Sequence, residues 1–141
     1  MRSITIPTIA LFFVLSATSV RADLEPSQED RQAIIGVILA QVEAFASDDA
    51  DRAWALASAE IQRRFGSPDV FVGMVRAEYP AIYRAESLQF QEPVPHPGFL
   101  IQPVFLRGPG GQYWDAWYRM SLQGDEWRIS GVSLERAEAG I

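Results

Sequence analysis

Residues 112–134 read QYWDAWYRMSLQGDEWRISGVSL, and this stretch decides the fold. Gly124 and Asp125 suit the two-residue loop of a β-hairpin. Pairing outward from that loop sets apolar side chains opposite each other on one face and polar side chains on the other, so the register is self-consistent. The cross-strand pairs are Leu122 with Trp127, Met120 with Ile129, and Ser121 with Arg128.

The apolar alternation changes phase in the second strand of this hairpin. Apolar side chains occupy odd positions up to Ile129 and even positions from Val132 onward. One extra residue at Gly131 restores the alternation, and glycine is the residue that such a kink tolerates best. We therefore predict a β-bulge at Gly131. Beyond it, the pairs continue as Tyr118 with Val132 and Ala116 with Leu134.

Helical patterns fill the chain before residue 86. Apolar residues recur there at helical spacing, and Ser27 and the Ser67–Pro68 pair provide helix starts. Pro80 ends or kinks the last long helix at Tyr79. The predicted helices cover residues 28–46, 50–58, a short piece within 58–66, and 68–79, followed by one further turn.

Strand patterns fill the rest of the chain. An alternating segment near residue 88 is broken by three prolines between 93 and 97, and an apolar run follows at 99–106. The GPGG sequence at 108–111 is a turn that leads into the hairpin. Helices followed by four strands in hairpin order predict an α+β fold, in which the helices cover one face of a curved four-stranded antiparallel sheet.

The N-terminus has the pattern of a secretory signal peptide. Arg2 precedes a mostly apolar run at 4–20, and small residues precede a cleavage point before Asp23. The run is marginal against the ~20 apolar residues that a membrane span needs, so a retained anchor is the weaker alternative. We predict a signal peptide at 1–22 and a single domain at 23–141. That domain is exported to the periplasm or secreted, with no stable membrane anchor after cleavage.

Charge and composition exclude several classes of function. The net charge is −6, and it becomes −8 without the first 22 residues, which hold two arginines and no acid. Such a chain repels phosphate backbones, so nucleic acid is not an expected partner. The chain has no cysteine, which excludes disulfides, thiol catalysis, thiolate metal sites and a lipid anchor on cysteine.

Three segments together resemble a known family. AFASDDADRAWALAS, IQRRFGSPDVFVGMVRAEYPAIYR and YRMSLQGDEWRISGVSL are similar to exported bacterial proteins grouped as domain of unknown function 4864. The likeness covers about residues 32–134. It implies kinship with the nuclear transport factor 2-like, or cystatin-like, superfamily and therefore a cone, with helices packed into a strongly curved sheet. It implies no activity and supplies no catalytic residues.

The helix-facing side of the predicted hairpin is apolar and aromatic and carries no carboxylate, histidine or arginine. General acid–base catalysis needs a titratable group within hydrogen-bond reach of the substrate. Tyrosine is the candidate that remains, and at its ordinary pKa of about 10 it is a poor base. The pattern favours a packed core or a small apolar pocket. The predicted pocket residues are Trp54, Met74, Tyr79, Tyr83 and Tyr118.

The opposite face of the hairpin carries Asp115 and Arg119. Four residues along a strand separate their Cα atoms by about 13 Å, so the two side chains cannot pair directly. Tyr113 and Trp117 share that face and are large for open solvent. They suit a protein partner or a homodimer formed through the outer sheet face.

No metal or cofactor site is predicted. His96 is the only histidine and is interpreted as a loop residue, because one imidazole without cysteine or a second histidine makes a poor zinc site. Asp48, Asp49 and Asp51 offer oxygen ligands for a hard cation, but helix capping is the simpler interpretation.

Two hypotheses about function follow. The first is an exported, non-catalytic domain that binds a small apolar ligand or a protein partner. The alternative is a hydrolase or isomerase that uses the cone, with Tyr79, Tyr83 or Tyr118 acting beside an arginine or aspartate. The direction of Asp115 and Arg119 separates them, because the enzyme hypothesis gains if these two side chains point toward the helices.

Overall fold

A computed structural model describes residues 25–138, in which helices precede strands along the chain. The helices are α1 (Gln28–Ala46), α2 (Ala50–Ala55), α3 (Ala59–Phe65), α4 (Pro68–Glu78) and α5 (Pro80–Tyr83). The strands are β1 (Ser87–Phe90), β2 (Val94–His96), β3 (Phe99–Arg107), β4 (Tyr113–Gln123) and β5 (Glu126–Arg136). The predicted α+β class is confirmed, whereas the predicted signal peptide at 1–22 lies outside the described residues. None of the helices between residues 25 and 138 is long and apolar enough to cross a bilayer.

Serine hydroxyl groups begin three of the helices. Ser27, Ser58 and Ser67 cap α1, α3 and α4, and each hydroxyl oxygen accepts the backbone N–H three residues ahead, at 3.0, 3.2 and 3.3 Å. At α4 the first helical residue is proline, whose missing N–H is not needed in the first turn. Local side-chain chemistry therefore fixes where these helices start.

Helix α2 is shorter than the sequence predicts. It ends at Ala55 instead of residue 58, because the chain leaves the helix to pair with the edge of β5. The Ser58 N–H donates to the Ile129 carbonyl oxygen at 2.8 Å, and the Ile129 N–H donates to the Leu56 carbonyl oxygen at 3.0 Å. A tertiary contact thus overrides the helical pattern.

The sheet is antiparallel, with the order β1-β3-β4-β5. The β4–β5 hairpin has the predicted register, and a bulge interrupts it as predicted, but the extra residue is Ser130 and not Gly131: Gly131 pairs with Arg119, Ile129 pairs with Met120, and Ser130 has no cross-strand partner. A Cβ atom on Gly131 would meet the Cβ atom of Arg119 at 3.8 Å, an ordinary contact. The extra residue, and not the small size of glycine, makes the bulge.

The sheet has five strands where the sequence predicts four. The additional strand, β2, pairs with β3 on the same side as β1. Pro95 lies opposite Leu100 in this pairing, and an edge strand tolerates proline because its outer side has no ladder to complete. His96 is consequently a strand residue and not a loop residue, and its ring stacks on Phe99 with centroids 4.7 Å apart.

A proline interrupts the hydrogen bonding of β3 at the junction between β1 and β2. The Gln91 N–H donates to the Pro103 carbonyl oxygen at 3.0 Å, but Pro103 has no N–H with which to return a bond. The buried side chain of Gln102 supplies the missing donor. Its Nε2 atom donates to the Gln91 carbonyl oxygen at 2.7 Å and to the Pro103 carbonyl oxygen at 2.9 Å.

The two faces of the sheet differ sharply in burial. Even-numbered side chains of β3 and the middle of β4 are buried in a core shared with the helices, and odd-numbered side chains lie on the outer face. Asp115 is therefore half-buried and Arg119 exposed on the outer face, as predicted. The largest fully buried side chains are Tyr118, Phe45, Ile34, Ile38, Leu106, Met120 and Val104.

Candidate functional site

A cleft of about 340 Å³ lies between the helices and the bulged part of β5. The bulge contributes Ser130, Gly131 and Val132 to its lining, at the point where the α2–α3 connection leaves the edge of β5. The remaining walls are mainly apolar. The helical side chains that form them are Phe45, Ile61, Phe65, Phe71, Met74, Val75 and Ile82.

Tyr118 lines this cleft from β4, and its hydroxyl group has an unusual environment. The residue is 1% exposed, and its hydroxyl group is the one buried side-chain oxygen or nitrogen in residues 25–138 without a hydrogen-bond partner. Burial raises the pKa of the Tyr118 phenol well above its ordinary value, so the group is a neutral hydrogen-bond donor at physiological pH. A buried donor without an acceptor carries a free-energy penalty of ~1–3 kcal/mol.

Gln41 is the other buried polar side chain in the cleft lining. Its Nε2 atom donates to the Ala53 carbonyl oxygen at 3.1 Å and so joins α1 to α2. This amide nitrogen already has a structural role, whereas the Tyr118 hydroxyl group has none.

The exposed rim of the cleft is polar. Arg64 of α3 and Glu78 of α4 contribute one charge of each sign, and half-buried Tyr79 lies beside them. The sequence does not identify Arg64 and Glu78 as site residues, because helical spacing alone does not show which exposed charged residues border a cleft. Their proximity to Phe65 and Tyr79 in the chain is the signal that a search over the helices would use.

Three of the five predicted pocket residues come together in the cleft. Met74, Tyr79 and Tyr118 line it, and Trp54 and Tyr83 do not. Trp54 packs its ring on Phe71, with centroids 5.8 Å apart, behind the cleft wall. Tyr83 is buried and packs its ring on Phe45, with centroids 5.6 Å apart.

Tyr83 belongs to a polar cluster that links the α1–α2 turn to α4 and α5. Its hydroxyl group donates to the Asp48 carboxylate and accepts a bond from Arg76 Nη2 at 3.0 Å, while Arg84 Nη2 lies 2.9 Å from the same carboxylate. These contacts lower the pKa of Asp48, with the Tyr83 hydrogen bond as the largest cause, and raise the pKa of Arg76 and Arg84. Every polar group of Tyr83 is thus engaged in structure.

The aspartate residues between α1 and α2 connect and cap these helices. The Asp49 carboxylate caps α2 by accepting the Arg52 N–H at 3.2 Å, and Asp48 adopts a left-handed φ of 54° at the turn. Aspartate is among the residues that adopt this conformation most readily. Within residues 25–138, no group of three or more histidine, cysteine, aspartate or glutamate side chains is placed to hold a metal ion.

A family model described as "Domain of unknown function (DUF4864)" matches residues 27–140. No curated protein matches the chain. The family resemblance carried by the three sequence segments is thereby confirmed, while kinship with the nuclear transport factor 2-like superfamily stays a prediction.

Proposed function

Because the chain belongs to the DUF4864 family, whose description assigns no activity, we propose a function from the geometry of its cleft. The domain binds a small, largely apolar molecule that carries a hydrogen-bond acceptor, and this acceptor accepts a hydrogen bond from the Tyr118 hydroxyl group. The observation that carries this proposal is a buried phenol donor without a partner in the wall of an open cleft.

The dimensions of the cleft limit the size of the ligand. Ligand pockets span roughly 300–1,000 Å³, so a volume of about 340 Å³ falls at the small end. An apolar cavity of about 150 Å³ holds one benzene molecule, so the cleft has room for one or two rings or a short branched chain. The aromatic side chains Phe45, Phe65 and Phe71 suit such a molecule.

The polar groups set the orientation of the ligand. Tyr118 lies in the buried part of the cleft and Arg64 and Glu78 lie at the solvent-exposed rim. An acceptor such as a carbonyl oxygen therefore points inward, and any polar substituent points outward. Asp115 and Arg119, on which the enzyme hypothesis depends, lie on the opposite face of the sheet.

Two matched probes test the proposal. Acetophenone and α-methylstyrene have nearly the same shape, but the second replaces the carbonyl oxygen by a methylene group. We expect the purified protein to bind acetophenone more tightly, by a factor of about 5–10, the range of one net hydrogen bond. Titrations followed by chemical shifts of cleft residues measure both affinities. Binding of neither probe, or equal binding of both, would contradict the proposal.

Variants assign the effect to the cleft and to the hydroxyl group. Tyr118→Phe should remove the preference for acetophenone and leave α-methylstyrene binding unchanged. Met74→Trp fills the cleft and should abolish binding of both probes. Val70 belongs to the same helix and is 55% exposed. The Val70→Trp variant is therefore the matched control and should bind both probes as the wild type does.

We also propose that the domain acts after export from the cytoplasm. The support is the pattern of Arg2, the apolar run at 4–20 and the small residues before Asp23. Expression of the whole chain in a bacterial host, followed by fractionation and intact-mass measurement, tests this. We expect a soluble periplasmic protein that begins at Asp23, and a cytoplasmic or membrane-bound chain that retains residues 1–22 would contradict the proposal.

A further inference from the structure

Part of the outer face of the sheet is apolar, and it is formed by Phe99, Ile101, Pro103 and Phe105 of β3 with Tyr113 and Trp117 of β4. Phe105 stacks on Tyr113 with ring centroids 5.2 Å apart and planes 5° from parallel. Trp117 is half-buried beside Pro103, its cross-strand partner. The helices of residues 25–138 share their core with the opposite face. An apolar sheet face of this kind is typical of an interaction surface.

Three charged side chains near the centre and border of this face lack ion-pair partners among residues 25–138, whereas Arg107 at its end pairs with Glu86 at 3.3 Å. Asp115 and Glu135 are cross-strand neighbours, and no arginine of residues 25–138 lies within salt-bridge distance of either. Arg119 lies over the Phe99 ring, 4.2 Å from its centroid, and no described carboxylate pairs with it. The acidic and basic charges lie on opposite sides of Trp117, each two residues away along β4.

The register places one row of cross-strand neighbours midway between Asp115 and Arg119. Trp117 is the cross-strand partner of Pro103 on one side and of Ser133 on the other, so the three residues form one line perpendicular to the strands. A twofold axis parallel to this line, between two facing sheets, brings each strand against its own copy in the opposite direction. Residues equally distant from the row on either side then face each other.

We propose that the protein forms a face-to-face homodimer about this axis. Trp117 of one copy meets Trp117 of the second copy at the centre, and Asp115 meets Arg119 of the second copy on both sides. Phe105 meets Ile101 of the second copy by the same symmetry. Facing sheets cross at about 30°, and the long arginine side chain spans the resulting offset. The proposal does not depend on the cleft or its ligand.

The charges select this axis over the other in-plane twofold axis. An axis parallel to the strands and between β3 and β4 would set Asp115 against Phe105 of the second copy and Arg119 against Ile101. Both ions would then lose water against apolar groups without gaining a partner, which is costly. The perpendicular axis instead gives two ion pairs around an aromatic centre, and it sets Glu135, which is exposed at the sheet border, opposite Gly131 of the second copy.

The size of the face indicates a weak dimer. Strands of nine residues at ~3.3 Å per residue, four abreast at ~4.8 Å, cover roughly 550 Å² per copy. Two copies then bury about 1,100 Å², at the low end of specific interfaces. Interfaces of this size are typical of weak complexes, whose affinity depends on the quality of the contacts and not on the area, so we expect a dissociation constant in the micromolar to millimolar range.

Charge exchange tests the axis directly. Sedimentation of the purified protein from about 1 µM to about 1 mM should show a monomer–dimer equilibrium. Asp115→Arg and Arg119→Asp each oppose like charges and should weaken the dimer at least tenfold, on the order of the cost of a repulsive pair. The double variant restores opposite charges and should return the dissociation constant to within about threefold of the wild-type value. Asp125→Arg and Arg63→Asp are matched controls away from this face and should not change it.

A second measurement needs no substitution. On dilution of the wild-type protein, the indole N–H resonance of Trp117 should shift, while that of Trp54, in the helical layer, should not. A wild-type monomer throughout the concentration range would overturn the proposal. So would a double variant as weak as either single variant, or a dilution shift at Trp54 without one at Trp117.

Discussion

Gln102 and Tyr118 are cross-strand partners on the same buried face, yet their polar atoms are in opposite situations. They are 2% and 1% exposed. The Gln102 amide replaces the donor that Pro103 lacks, and the Tyr118 hydroxyl group bonds to nothing within residues 25–138. A buried polar group beside a backbone defect stabilises the fold, whereas one beside a cleft is available to a ligand. The predictions below test this distinction in order of decreasing effect.

The largest effect is expected at Gln102. Gln102→Leu keeps most of the volume but removes the donor of the two part-buried hydrogen bonds to the Gln91 and Pro103 carbonyl oxygens, which should lower the free energy of unfolding by about 1–3 kcal/mol. Urea denaturation measures the change. Pro103→Val restores a backbone N–H opposite Gln91, so the double variant should recover at least about 1 kcal/mol relative to Gln102→Leu. No recovery would show that the amide acts through packing and not through the missing N–H.

The second-largest effect is expected at Tyr83, whose hydroxyl group has both a hydrogen-bond donor and an acceptor as partners. Tyr83→Phe removes the bonds to Asp48 and Arg76, and both partners remain partly hydrated at the surface. We expect the free energy of unfolding to fall by about 1 kcal/mol, measured by the same urea titration. An unchanged stability would mean that the cluster contributes no net stabilisation.

Removal of the hydroxyl group from Tyr118 should not lower the free energy of unfolding, in contrast to its removal from Tyr83. Tyr118→Phe deletes a buried donor that has no acceptor, so without ligand the free energy of unfolding should stay equal or rise by up to about 1 kcal/mol. Tyr83→Phe is its matched control, because the chemical change is identical. A loss of stability at Tyr118 comparable to that at Tyr83 would contradict the contrast between structural and available polar groups.

The smallest effect is a pH dependence at Asp48. Contacts with Tyr83 and Arg84 lower the pKa of Asp48 below its ordinary value of 3.8. Since the folded state binds this proton less tightly than the unfolded state, the contribution is complete above the unfolded pKa and is lost as pH falls through the folded pKa. Asp48→Asn keeps a residue that tolerates the left-handed φ, so its stability should fall less than that of the wild type between about pH 5 and 3. An equal loss of stability in both proteins over this pH range would show that Asp48 is not the source of the pH dependence.

The sequence predicts most of the fold because local rules determine it. The alternation of apolar and polar residues on both sides of Gly124 predicts the hairpin register. The shift of apolar residues from odd to even positions before Val132 predicts a bulge in β5. The shortened α2 and the additional β2 escape prediction, because each depends on a strand distant in the chain offering an open edge.

The candidate site is predicted less completely. Met74, Tyr79 and Tyr118 lie on faces that periodicity identifies. Tyr83 turns away toward Asp48, because Pro80 begins a new turn after Tyr79. The Gln102 bond to Gln91 was not foreseen either, although a proline within a long strand is a signal that some other donor must serve the neighbouring carbonyl.

The parallel pairing of Leu56–Ser58 with β5 has a consequence for the behaviour of the protein in concentrated solution. β5 is the last strand of the sheet, and an uncovered strand of eleven residues would recruit further chains laterally. The helix connection pairs with this border at Ile129, and the bulge at Ser130 distorts the border next to it. Loosening of the α2–α3 connection should therefore leave the backbone groups of Ile129 free to pair with another chain.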